Sequence, residues 1–190
     1  MLTEEQKYEN KTKYMEYLCK LGVDLTNFNK FLEEVDFFNK PASTQYTKAY
    51  PGGLCEYALQ LVNELGMLCN AYYPGRYLPE DVLKVALFKD LYRAVMYESY
   101  LKNIKDEITG QWISVEAFKT KDGSTRPVFG ELGMSSYMIA KKFFDFTDEQ
   151  IEAIIHSRPN DFAPDIHDVL RQYPLVTLTR MADMVINYLT

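Results

Sequence analysis

The chain has 190 residues, of which 47% are hydrophobic and 25% charged, so it reads as one globular domain with a sizeable core and not as a disordered or fibrous chain. Its 21 basic and 27 acidic residues leave a net charge of −6, which argues against broad electrostatic binding of nucleic acid. Cys19, Cys55 and Cys69 form no C-x-x-C pair and read as reduced thiols, and no run approaches the ~18 apolar residues of a membrane span. With a polar, acidic N-terminus that lacks signal character, the expectation is a cytoplasmic chain with no membrane partner.

The pattern is mainly helical. Thr3 and Gln6 have capping-box spacing, and the helix that follows is expected to stop at Gly22. A short helix over residues 27–37, capped by Thr26 or Asp24, leads into a turn-rich loop, "NKPASTQYTKAYPGG" (39–53). From Leu54 the apolar residues Ala58, Leu61, Val62 and Leu65 take amphipathic helical spacing. Pro79, Glu80 and Asp81 start a helix expected to run to about Asn103, with Tyr92, Tyr97 and Tyr100 on one broad face.

Around residues 111–128 the period changes, and a strand before a "KDGS" turn predicts a small β-hairpin. Helices resume over about 131–144, 147–156, 164–171 and 174–189. One segment resists this scheme. In "VALFKDLYRAVMY" (85–97), Lys89 and Asp90 interrupt what is otherwise a buried helix face. Charged residues are seldom fully buried unless paired or bound to a ligand.

Five segments in order resemble the HD-domain phosphohydrolases, in the small single-domain form found in bacteria and bacteriophages. They are "PASTQYTKAYPGGLCEYAL", "ALFKDLYR", "GELGMSSYMIAKKF", "EQIEAIIHSRP" and "YPLVTLTRMADMVINYL", spanning residues 41–189. The resemblance, which does not cover the first 40 residues, implies an all-α, HD-domain-like helical bundle with a small β-hairpin insertion near 111–128, and the chain length fits a single domain over 1–190. Residues 1–40 would form an N-terminal helical extension, and 41–190 a degenerate core.

In that family, imidazoles and carboxylates hold the metal that activates water against a phosphoester. Carried over, the first histidine position falls on Tyr57, the histidine of the histidine-aspartate doublet on Lys89, and a further one near Glu131; Asp90, His156 and Asp183 remain. An ammonium has three donors and no lone pair, so Lys89 puts positive charge where a divalent ion would sit. Asp90 and Asp183 would face each other and repel, and Lys89 or Arg93 would neutralise them. The metal site is read as lost, with no cofactor expected.

Two function classes follow. The leading one is a pseudoenzyme that binds: either a nucleotide or phosphate ligand in a cationic former active site (Lys48, Tyr57, Lys89, Arg93, Arg158, with Arg180 near), or a host protein. The phage resemblance implies an accessory factor in an infected bacterium, and a homo-oligomer would be one form of protein contact. The alternative is an active phosphohydrolase with a reduced single-metal site of Asp90, His156 and Asp183, helped by Glu131. For His156, a helix C-terminal cap and a ligand role stand even.

Overall fold

The computed structural model describes residues 1–122, 132–157 and 166–189. It is mostly helical with one small antiparallel sheet. Helix α1 (Glu4–Cys19) begins at Thr3, whose side chain and that of Gln6 cap each other's backbone N–H groups, as the spacing requires. Helix α2 (Thr26–Glu34) follows Asp24, whose carboxylate accepts from both the backbone N–H and the hydroxyl of Thr26. Helix α3 (Gly53–Tyr72) is the central element. It packs against α1, α4 (Pro79–Phe88) and α9 (Pro174–Tyr188).

The helix expected to run from Pro79 to about Asn103 does not. It stops at Phe88, restarts as α5 (Leu91–Met96), and gives way to β1 (Tyr97–Lys105). Lys89 caps α4 and Asp90 caps α5, so the charged doublet sits at the break between two helices. A cation at a helix C-terminus and an anion at an N-terminus both match the dipoles there.

The hairpin also differs from expectation. Strand β1 pairs with β2 (Trp112–Thr120), Tyr97 opposite Thr120 and Lys105 opposite Trp112. The turn is therefore at 106–111, organised by Asp106, whose carboxylate accepts from the N–H groups of Ile108 and Thr109. The first strand occupies residues read as helix, because helical spacing of Tyr97 and Tyr100 is also compatible with a mostly exposed strand. Gly123 and Ser124, part of the turn expected there, lie outside the described residues.

Helices α6 (Leu132–Ala140), α7 (Asp148–Ile155) and α8 (Ile166–Gln172) complete the described chain close to their expected positions. α7 opens on a capping box of Thr147 and Gln150. The N-terminal helices are part of the main core: Tyr14, Leu18, Phe28 and Leu32 share one buried cluster with α3, α4 and α9. The Tyr14 hydroxyl donates to the Leu87 carbonyl at 3.2 Å, tying α1 to the end of α4.

The loop before α3 is pressed hard onto it. Gly52 has φ +85°, and a Cβ at Gly53 would run into the Lys48 carbonyl. That close approach sets the Lys48 and Thr47 side chains beside α3 and α9. Gly53→Ala is expected to displace this loop and cost about 1–3 kcal/mol, the usual cost of overpacking, read as a lower denaturation midpoint with an unchanged helical spectrum.

Candidate functional site

Lys89 is 2% exposed, and its side chain reaches between α5 and α9. Its Nζ lies 2.7 Å from Asp90 Oδ2 and 2.8 Å from Asp183 Oδ1. Arg93, one turn into α5, places its Nε 2.9 Å from Asp90 Oδ1 and donates to the Ala42 carbonyl. Tyr57 comes from α3, is 1% exposed, and donates its hydroxyl to Asp183 Oδ1. Asn187, one turn after Asp183, donates to Asp183 Oδ2 at 3.0 Å and accepts from the Thr47 hydroxyl at 2.7 Å.

The cluster is thus two cations against two carboxylates, closed by a phenol and an amide. Asp90 Oδ2 and both Asp183 oxygens accept hydrogen bonds, and Asp90 Oδ1 is ion-paired with Arg93 Nε. The Nζ of Lys89 and the guanidinium of Arg93 also stand over the Tyr57 ring, at 5.4 and 5.6 Å.

Burial opposes the charge of Lys89, but Asp90, Tyr57 and Asp183 outweigh it and raise its pKa above the ordinary lysine value. Tyr57 is raised as well, by burial first, with Lys89 pulling the other way and the two aspartates adding to the rise. Its hydroxyl therefore keeps its proton and can donate.

A divalent metal does not fit this donor set. The position between the two carboxylates is filled by an ammonium, and the phenol at residue 57 is protonated and turned onto Asp183. His156 ends α7 as its C-cap, with Nε2 3.3 Å from Glu152 Oε2 and its carbonyl accepting from Arg180 Nε at 2.7 Å. Among the described residues no group of three or more His, Cys, Asp or Glu side chains is placed to hold a metal. Glu131 and Arg158 lie outside the described residues.

Beside the cluster opens a cleft of about 570 Å³, with Arg93 and Asp183 at its floor and Tyr46, Tyr97 and Tyr188 around it. Thr47 and Asn187 are shared with an adjoining cavity that Lys48 also lines. Lys48 does not reach toward Lys89. Its Nζ pairs with Glu56 at 3.0 Å, and the Tyr50 hydroxyl holds the other oxygen of that carboxylate at 2.7 Å.

Of the residues expected to gather, Tyr57, Lys89, Asp90, Arg93 and Asp183 do, while Lys48 and His156 make their contacts elsewhere. Asn187 and Thr47 escaped the sequence reading. Asn187 stands four residues after Asp183 on the same helix face, a signal that was available; the link to Thr47 depends on the fold of the loop.

No family model, curated protein or solved structure matches the chain. No helix among the described residues is long and apolar enough to cross a membrane.

Removing Lys89 leaves two buried carboxylates facing each other. Lys89→Met is therefore expected to cost about 3–5 kcal/mol of folding stability, measured by denaturant titration. The pH dependence has a definite sign. Lys89 and Tyr57 have raised folded-state pKa values, so the stability they contribute is complete below their ordinary values and is lost as pH climbs through the alkaline range above about 10. Wild type should lose stability steeply there, and Lys89→Met should follow a shallower curve.

Proposed function

We propose that the chain is a catalytically inactive protein of HD-domain type that works by binding a nucleotide-type small molecule in the cleft beside Lys89. The observation that carries this reading is the Lys89 ammonium lodged between Asp90 and Asp183, where the resembled enzymes hold their metal. A centre closed in this way has no open coordination position and no means of activating water by a metal. The alternative hydrolase assembled from Asp90, His156 and Asp183 loses support on the same ground. Two of its three ligands are engaged with Lys89, and the third makes its contacts with Glu152 and Arg180.

The cleft itself suits a ligand with a ring and a charged end. Tyr46 and Tyr188 are 85% and 78% exposed and offer faces on which a base can stack. Arg93 lines the cleft with its Nε engaged by Asp90 and Tyr92 and one terminal nitrogen by the Ala42 carbonyl, so its second terminal nitrogen is the one placed to meet a phosphate oxygen. Ser43, Thr47 and Asn187 add neutral hydrogen-bonding groups for a sugar. The single described cation is offset by Asp183, which favours a nucleoside monophosphate or a neutral nucleoside derivative over a polyphosphate.

A panel of nucleosides and nucleotides tested by thermal unfolding and calorimetry checks this. A ligand present at a hundredfold over its Kd should add about 2.7 kcal/mol of stability, and Tyr46→Ala, on an exposed ring clear of the clamp, should remove most of that gain. A flat response across the panel would discard the small-molecule reading and turn the search to a protein partner.

A further inference from the structure

The hairpin is an incomplete sheet. Two strands of nine residues stand with both faces largely in solvent, and Phe118 is their one buried large side chain among the described residues. An isolated two-stranded hairpin is marginal in water, and a third or fourth strand is the usual remedy. Leu101, Ile104, Ile113 and Trp112 are exposed on it, Leu101 at 75% and Trp112 at 72%.

The register fixes which edge is free. Asp106 N–H donates to the Gln111 carbonyl at one end, and Lys121 N–H to the Met96 carbonyl at the other. In an antiparallel ladder those bonded pairs recur at every second residue. Glu98, Tyr100, Lys102 and Ile104 therefore bond inward to β2, while the backbone of Ser99, Leu101 and Asn103 faces outward. A row left unpaired among the described residues is a template for another strand.

We infer that this row takes the β1 strand of a second copy of the chain, antiparallel about a two-fold axis through Tyr100, to give a four-stranded sheet across a homodimer. The charges select that register. A two-fold pairing must set residues from the same face opposite each other, and Glu98, Tyr100 and Lys102 share a face. Centring on Tyr100 puts Glu98 of each copy opposite Lys102 of the other, twice, with the tyrosines packed together on the axis. Shifting the centre to Lys102 would oppose two lysines, and shifting it to Leu101 would leave both charges facing uncharged residues. Strand β2 has no such match, because Glu116 and Lys119 lie on opposite faces and never meet across a two-fold. Within each copy Glu98 already holds Lys119 at 3.1 Å, so the dimer would continue one row of alternating charge, Lys119, Glu98, Lys102, across the new seam.

This rests on the hairpin alone and stands whether or not the cleft binds a nucleotide. Sedimentation of the full chain over a range of concentrations should give a species of twice the 22.1 kDa chain mass. Lys102→Glu should weaken association by at least about tenfold, since it trades two attractions for two repulsions, with the circular dichroism unchanged because the side chain is exposed. Adding Glu98→Lys together with Lys119→Glu, which keeps the pair inside each hairpin, should restore the dimer. In a Cys19→Ser background, Tyr100→Cys should cross-link into a disulfide dimer under mild oxidation, while Ile104→Cys should not. A chain that remains monomeric at every concentration overturns the inference, as does a dimer indifferent to Lys102→Glu or a fully charge-swapped variant that fails to reassociate.

Discussion

The structure turns on one ammonium group. Lys89 joins the end of α4 to the start of α5 through Asp90, and both to α9 through Asp183. Tyr57 brings in α3 through the same Asp183 oxygen, and Arg93 brings in the loop at Ala42. Five separate stretches of chain are thereby fixed by a patch of two positive and two negative charges. Taking such a patch out of water is expensive, and the cost is offset only where each charge is both paired and hydrogen-bonded. That condition is met here, since each carboxylate is ion-paired and hydrogen-bonded and both cations also lie against the Tyr57 ring.

A metal ion and a lysine can satisfy the same two aspartates, but they leave different chemistry behind. A metal brings open coordination positions and acidifies bound water. An ammonium has three hydrogens, each of which finds an acceptor or remains a donor, and nothing with which to hold a nucleophile. Replacing one by the other keeps the electrostatic tie between helices and removes the reactive centre. Beside the cluster lies a ring-lined space of about 570 Å³, and the proposed binding role rests on that space.

Much of the helical framework was legible in the sequence because its signals are local. Thr3 with Gln6, Thr147 with Gln150, and proline at residues 79 and 174 each mark a helix start by chemistry confined to one turn. The helix break at Lys89 and the strand after Met96 were not legible. Residues 79–103 carry no glycine or proline after the first position, and the break coincides with a tertiary contact, the reach of Lys89 to Asp183 on α9. The candidate site divides the same way. Its charged members stood out because a lysine in an apolar run needs a partner, and the partner, Asp183, followed from the resemblance of the segments. The roles of Asn187 and Thr47 depend on how the loop before α3 folds, which Gly53 decides through a close backbone approach that no local pattern announces.

Metal content reports most directly on whether Lys89 occupies the place of a metal. The chain would be purified without chelator, incubated with manganese, iron or nickel, desalted and weighed by native mass spectrometry. No retained ion is expected in the wild type. One equivalent held by the wild type, and lost when Asp90 and Asp183 are changed to asparagine, would contradict it.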